Sequence, residues 1–264
     1  MAGLCSARGM AHATLTVDLV GGAGVSARAR TARYGALGDW AKARGLAAII
    51  TAHHADDQAE TLVMRLNRGA GVRGLAGMRP QAVVPGHPDL PLLRPLLAER
   101  RADLAALVAE AGLAAIDDPT NRDARFERAR VRAGLAGADW LDPPALARSA
   151  AHLADADEAI AWMAGQCLAA VERAQGGWRW QPVGPRPVRL RVLEQILADL
   201  GTSTPRGSEC ARWLATLEAG GVATLGGVRG DGRSGHAGHW IFTRAPAPRG
   251  SALPTATRPD PGQM

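Results

Sequence analysis

"TAHHADDQAETLVMRLNRGAGVRGLAGM" (residues 51–78) puts two histidines, two aspartates and four glycines into one short unit. Immediately before it, "LAAIITAH" (46–53) is a short continuous apolar run, the pattern of a strand buried on both faces. "DDQAETLVMRLNRG" then carries Ala59, Leu62, Val63 and Leu66 at i, i+3, i+4 and i+7, an amphipathic helix that Gly69 stops. The unit therefore reads strand, rim, helix. In an open parallel sheet ligands bind beyond the carboxyl ends of the strands. This rim carries His53, His54, Asp56 and Asp57.

The same spacing has a purely structural reading: Asp57 with Glu60 three residues on forms a capping box. Consecutive histidines on a strand point to opposite faces and do not easily share an ion, so no metal is assigned. Gly69, Gly71 and Gly74 spell G-x-G-x-x-G, but that dinucleotide fingerprint needs a strand before it and a helix after it. Here it follows a helix, whose end is the negative pole of the dipole. A loop is expected, and a nicotinamide cofactor is rejected.

Working outward, "ATLTVDLV" (13–20) alternates as a short strand does. "GVSARARTARYGALGDWAKARGL" reads as a helix with Tyr34, Leu37 and Trp40 or Ala41 on one face. "LPLLRPLL" is a further strand candidate, its two prolines making it a poor central one. "RADLAALVAEAGL" is helical. Strands alternating with helices predict a parallel α/β sheet.

A second cluster, "DDPTNRDARFERARVR" (117–132), spaces Arg125, Arg128 and Arg132 at i, i+3 and i+7. On one helix they would form a positive stripe suited to phosphates; a solvated face is the plainer reading. Beyond it come a long helical stretch from Pro143 or Pro144, then "VRLRVLEQILADLG" and "GSECARWLATLEAGG" as a helix pair. A Gly-rich β segment and a tail rich in Pro, Ser and Thr, expected to be disordered, complete the chain.

Composition sets outer bounds. The 264 residues allow one large or two modest domains, and the net charge of +6 suits a phosphate-rich partner. Lys42 is the only lysine, so the positive charge is almost all arginine, the residue that grips phosphate in a fork. Cys5, Cys167 and Cys210 stand apart without a CxxC pair, which argues against zinc or a disulfide framework and fits a reducing cytoplasm. No membrane span or signal segment is apparent.

Taken in order, "AHHADDQAETLVMRLNRGAGVRGLAGM", "LLRPLL" and "DDPTNRDARFERARVR", with "GVSARARTARY" upstream, resemble the tRNA(Ile)-lysidine synthetases. The resemblance is specific over residues 24–132 and looser over "VRLRVLEQILADLG" and "GGVATLGGVRG". It implies an adenine-nucleotide alpha hydrolase-like (PP-loop) ATP pyrophosphatase domain, a helical linker and a small α+β domain. The boundaries expected are 1–133 for the ATP pyrophosphatase part, 134–180 for the linker, 181–245 for a tRNA substrate-binding domain and 246–264 for the tail.

The activity implied is ATP-dependent ligation of lysine to the wobble cytidine of an isoleucine tRNA with a CAU anticodon. ATP with Mg2+, free L-lysine and that tRNA are the implied ligands, and homodimerisation stays open. Carried over by residue, Asp57 and Glu60 hold the lysine ammonium, Arg33 and Arg128 meet the ATP phosphates with His53 at the rim, and Arg125, Arg130 and Arg132 face tRNA.

One departure matters. The family's phosphate-binding loop, of the form Ser-Gly-Gly-x-Asp-Ser, does not occur in these residues. In the strand order 3-2-1-4-5 expected of this fold, the first two strands lie centrally. The chain is thus expected to lack them, leaving the strand at 47–53 with a naked hydrophobic edge. Three readings follow: a lysidine synthetase lacking its first strands, a non-catalytic tRNA-binding relative, or a thiolating tRNA-modifying enzyme, the last weakened by the missing CxxC.

Overall fold

The computed structural model describes residues 1–19, 24–115, 123–174, 177–203, 205, 207–233 and 238–246. Asp118, Asn121 and Arg122 of the second arginine cluster and nearly all of the expected tail lie outside the described residues. The chain divides into two compact units between Asp157 and Glu158.

The first unit contains α1 (Ala2–Ser6), α2 (Val25–Ala43), β1 (Ile49–Ile50), α3 (Ala55–Leu66), α4 (Val72–Leu75), β2 (Gln81–Val84), β3 (His87–Leu93), α5 (Arg101–Glu110) and α6 (Glu127–Ala136). A long helix, α7 (Pro143–Ala169), starts in this unit and continues across the division. On α2 the predicted face is the one that packs: Tyr34 and Ala41 are buried against Val84, Leu90 and Leu92 of the sheet, with Trp40 and Ile49 at the margin. Positions i and i+7 recur on one side of a 3.6-residue helix, so the sequence pattern is sufficient here.

The sheet departs from expectation. It has three strands in the order β1-β3-β2, with β1 parallel to β3 and β2 antiparallel to it, so it is mixed rather than parallel. The hairpin β2–β3 turns at Pro85 and Gly86, the glycine having φ +83°, a conformation that costs other residues more. β3 is central in spite of Pro88 and Pro91. The register jumps from Val83 opposite Pro91 to Val84 opposite His87, so the prolines fall in or beside a bulge, where lost amide donors do least harm.

β1 is only two residues long and, among the described residues, has a neighbour on one side alone. Ile50 is 67% exposed, so the run 46–53 is not buried on both faces. Residues 13–19 form no strand either. Ala13, Leu15 and Val17 instead turn toward Ala36, Leu37 and Trp40 of α2 around an apolar groove of about 280 Å³. Alternation along the chain carries no information on whether a ladder partner stands alongside, and the strand expected here does not form.

The glycine stretch after α3 is ordered. Val72–Leu75 makes a helical turn, with Gly71 as its N-cap, where a loop was expected. The buried Gln58 amide donates to the Met78 carbonyl (2.8 Å) and accepts from the Met78 amide (2.7 Å). Arg65 donates to the carbonyls of Gly74 and Gly77. A Cβ on Gly77, whose φ is +67°, would lie 2.6 Å from the Gln58 side-chain oxygen, so glycine is required there.

The second unit holds β4 (Glu172–Ala174), β5 (Gly177–Trp180), α8 (Arg186–Leu200), α9 (Gly207–Glu218), β6 (Val222–Leu225), β7 (Val228–Asp231) and β8 (Trp240–Arg244). Its sheet is antiparallel with the order β4-β5-β8-β7-β6. Trp180, Trp213, Trp240 and Phe242 pack with Val192, Leu193, Ile196 and Leu214 of the helix pair. Trp180 and Trp240 meet edge to face at 5.7 Å. No helix among the described residues is long and apolar enough to cross a membrane.

Candidate active site

Three elements place the polar residues of the rim. The parallel pairing of β1 with β3 sets Ile50 opposite Leu93, and the Thr51 amide donates to the Leu93 carbonyl at 2.9 Å. Two residues later His53 lies just past the strand end, its Nδ1 2.9 Å from the Thr51 hydroxyl. The helix α3 then starts from His54, which serves as its N-cap.

That cap corrects the expected one. Asp57 pairs with His54, not with Glu60: the His54 amide donates to Asp57 Oδ2 (3.1 Å) while the Asp57 amide donates to His54 Nδ1 (3.3 Å). Asp56 has a job that no local pattern could show. Its Oδ2 accepts the Arg101 amide at 2.8 Å, so it caps the N-terminus of a different helix, α5. The Ala55 amide donates to the Glu99 carbonyl at 2.9 Å, which holds the two helix starts together.

Glu60, freed from capping, is the most deeply placed acid of the site, its side chain only 3% exposed. It receives two arginines from α6. Arg128 Nε donates to Oε2 (2.6 Å), Arg132 Nε donates to Oε1 (2.6 Å), and Arg132 Nη2 donates to Oε2 (3.2 Å). Arg128 Nη2 also donates to Asp57 Oδ1 at 2.9 Å. Asp57 and Glu60 are i and i+3 on α3, Arg128 and Arg132 i and i+4 on α6, so one face of each helix supplies both members of an alternating quartet. The Glu60 hydrogen bond holds the Arg132 guanidinium above its ordinary pKa.

The positive stripe expected on one helix is therefore not present as such. α6 begins at Glu127, which leaves Arg125 outside it, clasping Asp123 through Nη2 at 2.7 Å. Arg130 donates to the Ala124 and Arg125 carbonyls. Arg128 and Arg132 turn inward to carboxylates. A helix in isolation displays charge at regular intervals, and the face opposite decides whether that charge meets solvent or acid.

Arg33 is not brought to this quartet. It is exposed on α2, its guanidinium carbon 5.5 Å from the Tyr34 ring centroid, and it borders the apolar groove beside residues 13–17. Two other arginines reach the rim that the sequence reading passed over, Arg30 and Arg94. Both act on His53, whose proton affinity is lowered first by burial and then by Arg94, Arg30 and Arg128, with Asp57 opposing. The available signal for Arg94 was a lone charge inside the apolar run "LLRPLL", since arginine is rarely buried without a reason.

A depressed imidazole has a consequence for stability. The unfolded chain takes up the proton near the ordinary value of 6.5, while the folded chain does so only at lower pH. Between those two points the unfolded state binds more protons, so stability falls as pH drops below about 6.5. Urea denaturation at pH 7 and pH 5.5 should register this loss, and His53→Gln should reduce it. An equal loss in the variant would assign the pH effect to other groups.

A cleft of about 130 Å³ opens beside the quartet, bordered by Asp56, Glu60, Arg101, Arg132 and Pro143. Carboxylates here can attract an ammonium group, and the arginines and His53 can meet an anion, so opposite charges of one substrate set have separate berths. No three His, Cys, Asp or Glu side chains converge as metal ligands among the described residues.

Known proteins resemble this chain in sequence. The PP-loop domain family model covers residues 1–138. A tRNA(Ile)-lysidine synthase of Novosphingobium aromaticivorans is 54% identical over 256 residues, spanning 96% of this chain and 78% of that protein. The tRNA(Ile)-lysidine synthase of Zymomonas mobilis is 36% identical over 258 residues, 96% of this chain and 77% of that protein. That of Ruegeria pomeroyi is 37% identical over 237 residues, 85% of this chain and 56% of that protein. With the PP-loop model spanning the unit that carries the quartet, and identity this high across nearly the whole chain, this protein belongs to the tRNA(Ile)-lysidine synthase family.

Proposed function

We propose that the chain ligates lysine to the wobble cytidine of the CAU-anticodon isoleucine tRNA, using ATP. The observation that carries the reading is the quartet of Asp57, Glu60, Arg128 and Arg132 beside His53, at the carboxyl ends of β1 and β3. In the reaction, the carbonyl oxygen of cytidine attacks the α-phosphorus of ATP and pyrophosphate leaves. The lysine side-chain amine then attacks the activated carbon, and AMP leaves with the former carbonyl oxygen.

Within that scheme Asp57 and Glu60 attract the lysine ammonium. Asp57 is the more available of the two, because it accepts two hydrogen bonds, one from the His54 amide and one from Arg128, where Glu60 accepts three from arginine. The amine must lose a proton before it attacks, and a carboxylate with a spare lone pair is placed to accept it. Arg128 and Arg33 are assigned to the ATP phosphates, where they stabilise charge on the leaving group. Exposed Arg125 and Arg130 are assigned to the tRNA backbone, with Arg132 behind them. Mg2+ would arrive with the nucleotide, held by its phosphate oxygens and by solvent water, and would help neutralise the phosphate charge.

Residues 1–133 would form the ATP-using part and 134–180 a linker made mostly of α7, whose final strands β4 and β5 join the sheet of the small α+β domain at 181–245 that binds tRNA, in a cytoplasmic enzyme. A second reading, a tRNA-binding protein without ligase activity, is favoured by the pairing of Arg128 and Arg132 with Glu60 and Asp57, which engages these arginines before any nucleotide arrives. ATP-dependent incorporation of labelled lysine into a CAU-anticodon isoleucine tRNA transcript separates the two. Incorporation establishes the ligase; tRNA binding without incorporation establishes the second reading.

A further inference from the structure

Arg94 is 5% exposed and makes no ion pair among the described residues. Its Nη1 donates to the Arg79 carbonyl at 2.8 Å, and its Nε is enclosed without any partner. The Arg79 side chain, by contrast, has its own acid: it pairs with Asp157, itself buried, at 2.9 Å. Arginine keeps its charge at every pH at which proteins fold. A guanidinium in this state is costly unless something supplies the missing negative charge.

The position of the group says where that charge would come from. Arg94 follows Leu93 directly, and Leu93 sits opposite Ile50 on β1 and accepts the Thr51 amide. Arg94 thus leaves the sheet beside Thr51, which holds His53. These are the carboxyl ends of the two parallel strands, where open α/β sheets bind ligands. With Nη1 tied to the Arg79 carbonyl, the edge left over is the Nε–Nη2 fork, whose two parallel N–H groups match two oxygens of one oxyanion.

We propose that Arg94 is a phosphoryl-binding residue, its Nε–Nη2 edge taking two oxygens of the nucleotide's phosphate chain. A single carboxylate could fill the fork, but Arg30, which sits over the Tyr34 ring on α2, adds its positive charge to the field at the same imidazole. Two guanidiniums that form no ion pair with the quartet suit a group with several negative charges better than one. The inference rests on the ATP-dependent reading of the site. It places part of the phosphate grip just past the carboxyl end of β3, in residues the glycine-rich loop of the family does not contain.

Isothermal titration of the 264-residue chain with inorganic pyrophosphate, and separately with L-lysine, tests the assignment in wild type, Arg94→Lys and Arg94→Gln. Lysine keeps the charge but lacks the fork. Arg94→Lys should weaken pyrophosphate binding by at least ~10-fold and Arg94→Gln by more, with L-lysine affinity unchanged. Thermal midpoints run alongside, and if the glutamine variant does not fold, Arg94→Lys alone carries the test.

Wild-type pyrophosphate affinity in Arg94→Lys would overturn the proposal, as would a wild-type chain that binds no pyrophosphate. Loss of lysine binding in step with a lowered midpoint would also overturn it, leaving a structural role. Pyrophosphate binding that needs Arg94 in a chain unable to ligate lysine would sink the ligase reading and keep this one. Ligation with Arg94→Lys binding unaltered would do the reverse.

Discussion

Glu60→Gln is expected to lower the unfolding free energy by about 2–4 kcal/mol, less than the full cost of breaking a deeply buried pair because both arginines keep some contact with water. The Glu60 side chain is 3% exposed, against 38% for Arg128 and 28% for Arg132. Glutamine keeps the shape of the side chain and one acceptor oxygen. Its amide would point two donors at guanidiniums that are donors only, so at least one contact becomes donor against donor. Arg128 retains Asp57, whereas Arg132 has no second carboxylate among its hydrogen bonds.

The loss should therefore centre on Arg132. Combining Glu60→Gln with Arg132→Met removes the stranded charge, and the double variant should recover part of the stability lost. Chemical denaturation of the four proteins measures the coupling. A Glu60→Gln loss under about 1 kcal/mol would place Glu60 among ordinary surface pairs and defeat the account of the quartet.

Asp57→Asn should do the opposite: large on ligand, small on fold. Lysine affinity is expected to fall about 100-fold, or about 2.7 kcal/mol, while ATP affinity stays the same. Asparagine retains a side-chain oxygen able to accept the His54 amide, so the helix cap survives; its amide then meets the Arg128 guanidinium, which keeps Glu60, and unfolding should shift by about 1 kcal/mol. What disappears is the negative charge that an ammonium group would seek beside a Glu60 that already accepts three arginine N–H groups. Calorimetric titration with L-lysine reads this directly, without requiring turnover. Unchanged lysine affinity would leave Asp57 as the partner of His54 and Arg128 and nothing more.

Local pattern was enough wherever neighbours in the chain make the contacts. The helix over 25–43 with Tyr34 and Ala41 inward, the helix over 55–66, and the charged rim between strand and helix were all legible. Helical periodicity and the chemistry of helix ends are properties of adjacent residues, and they survive removal from the fold. The motifs "AHHADDQAET" and "ARFERARVR" carried the family for the same reason, and the matched relatives agree with it.

Partnership across the chain was not legible. Alternation at 13–20 gave no sign of whether a strand would stand alongside, and the prolines of 85, 88 and 91 concealed a hairpin that only a bulge makes tolerable. Which acid would cap which helix was decided by the packing of α3 against α5 and α6. Asp56 went to the amide of Arg101 forty-five residues away, and Glu60 to two arginines of α6. The sequence alone determined which charges exist and how they are spaced along each helix. Tertiary structure alone decided which of them cancel and which, like Arg94, are left facing a ligand, because Coulomb energy depends on distance and burial rather than on order in the chain.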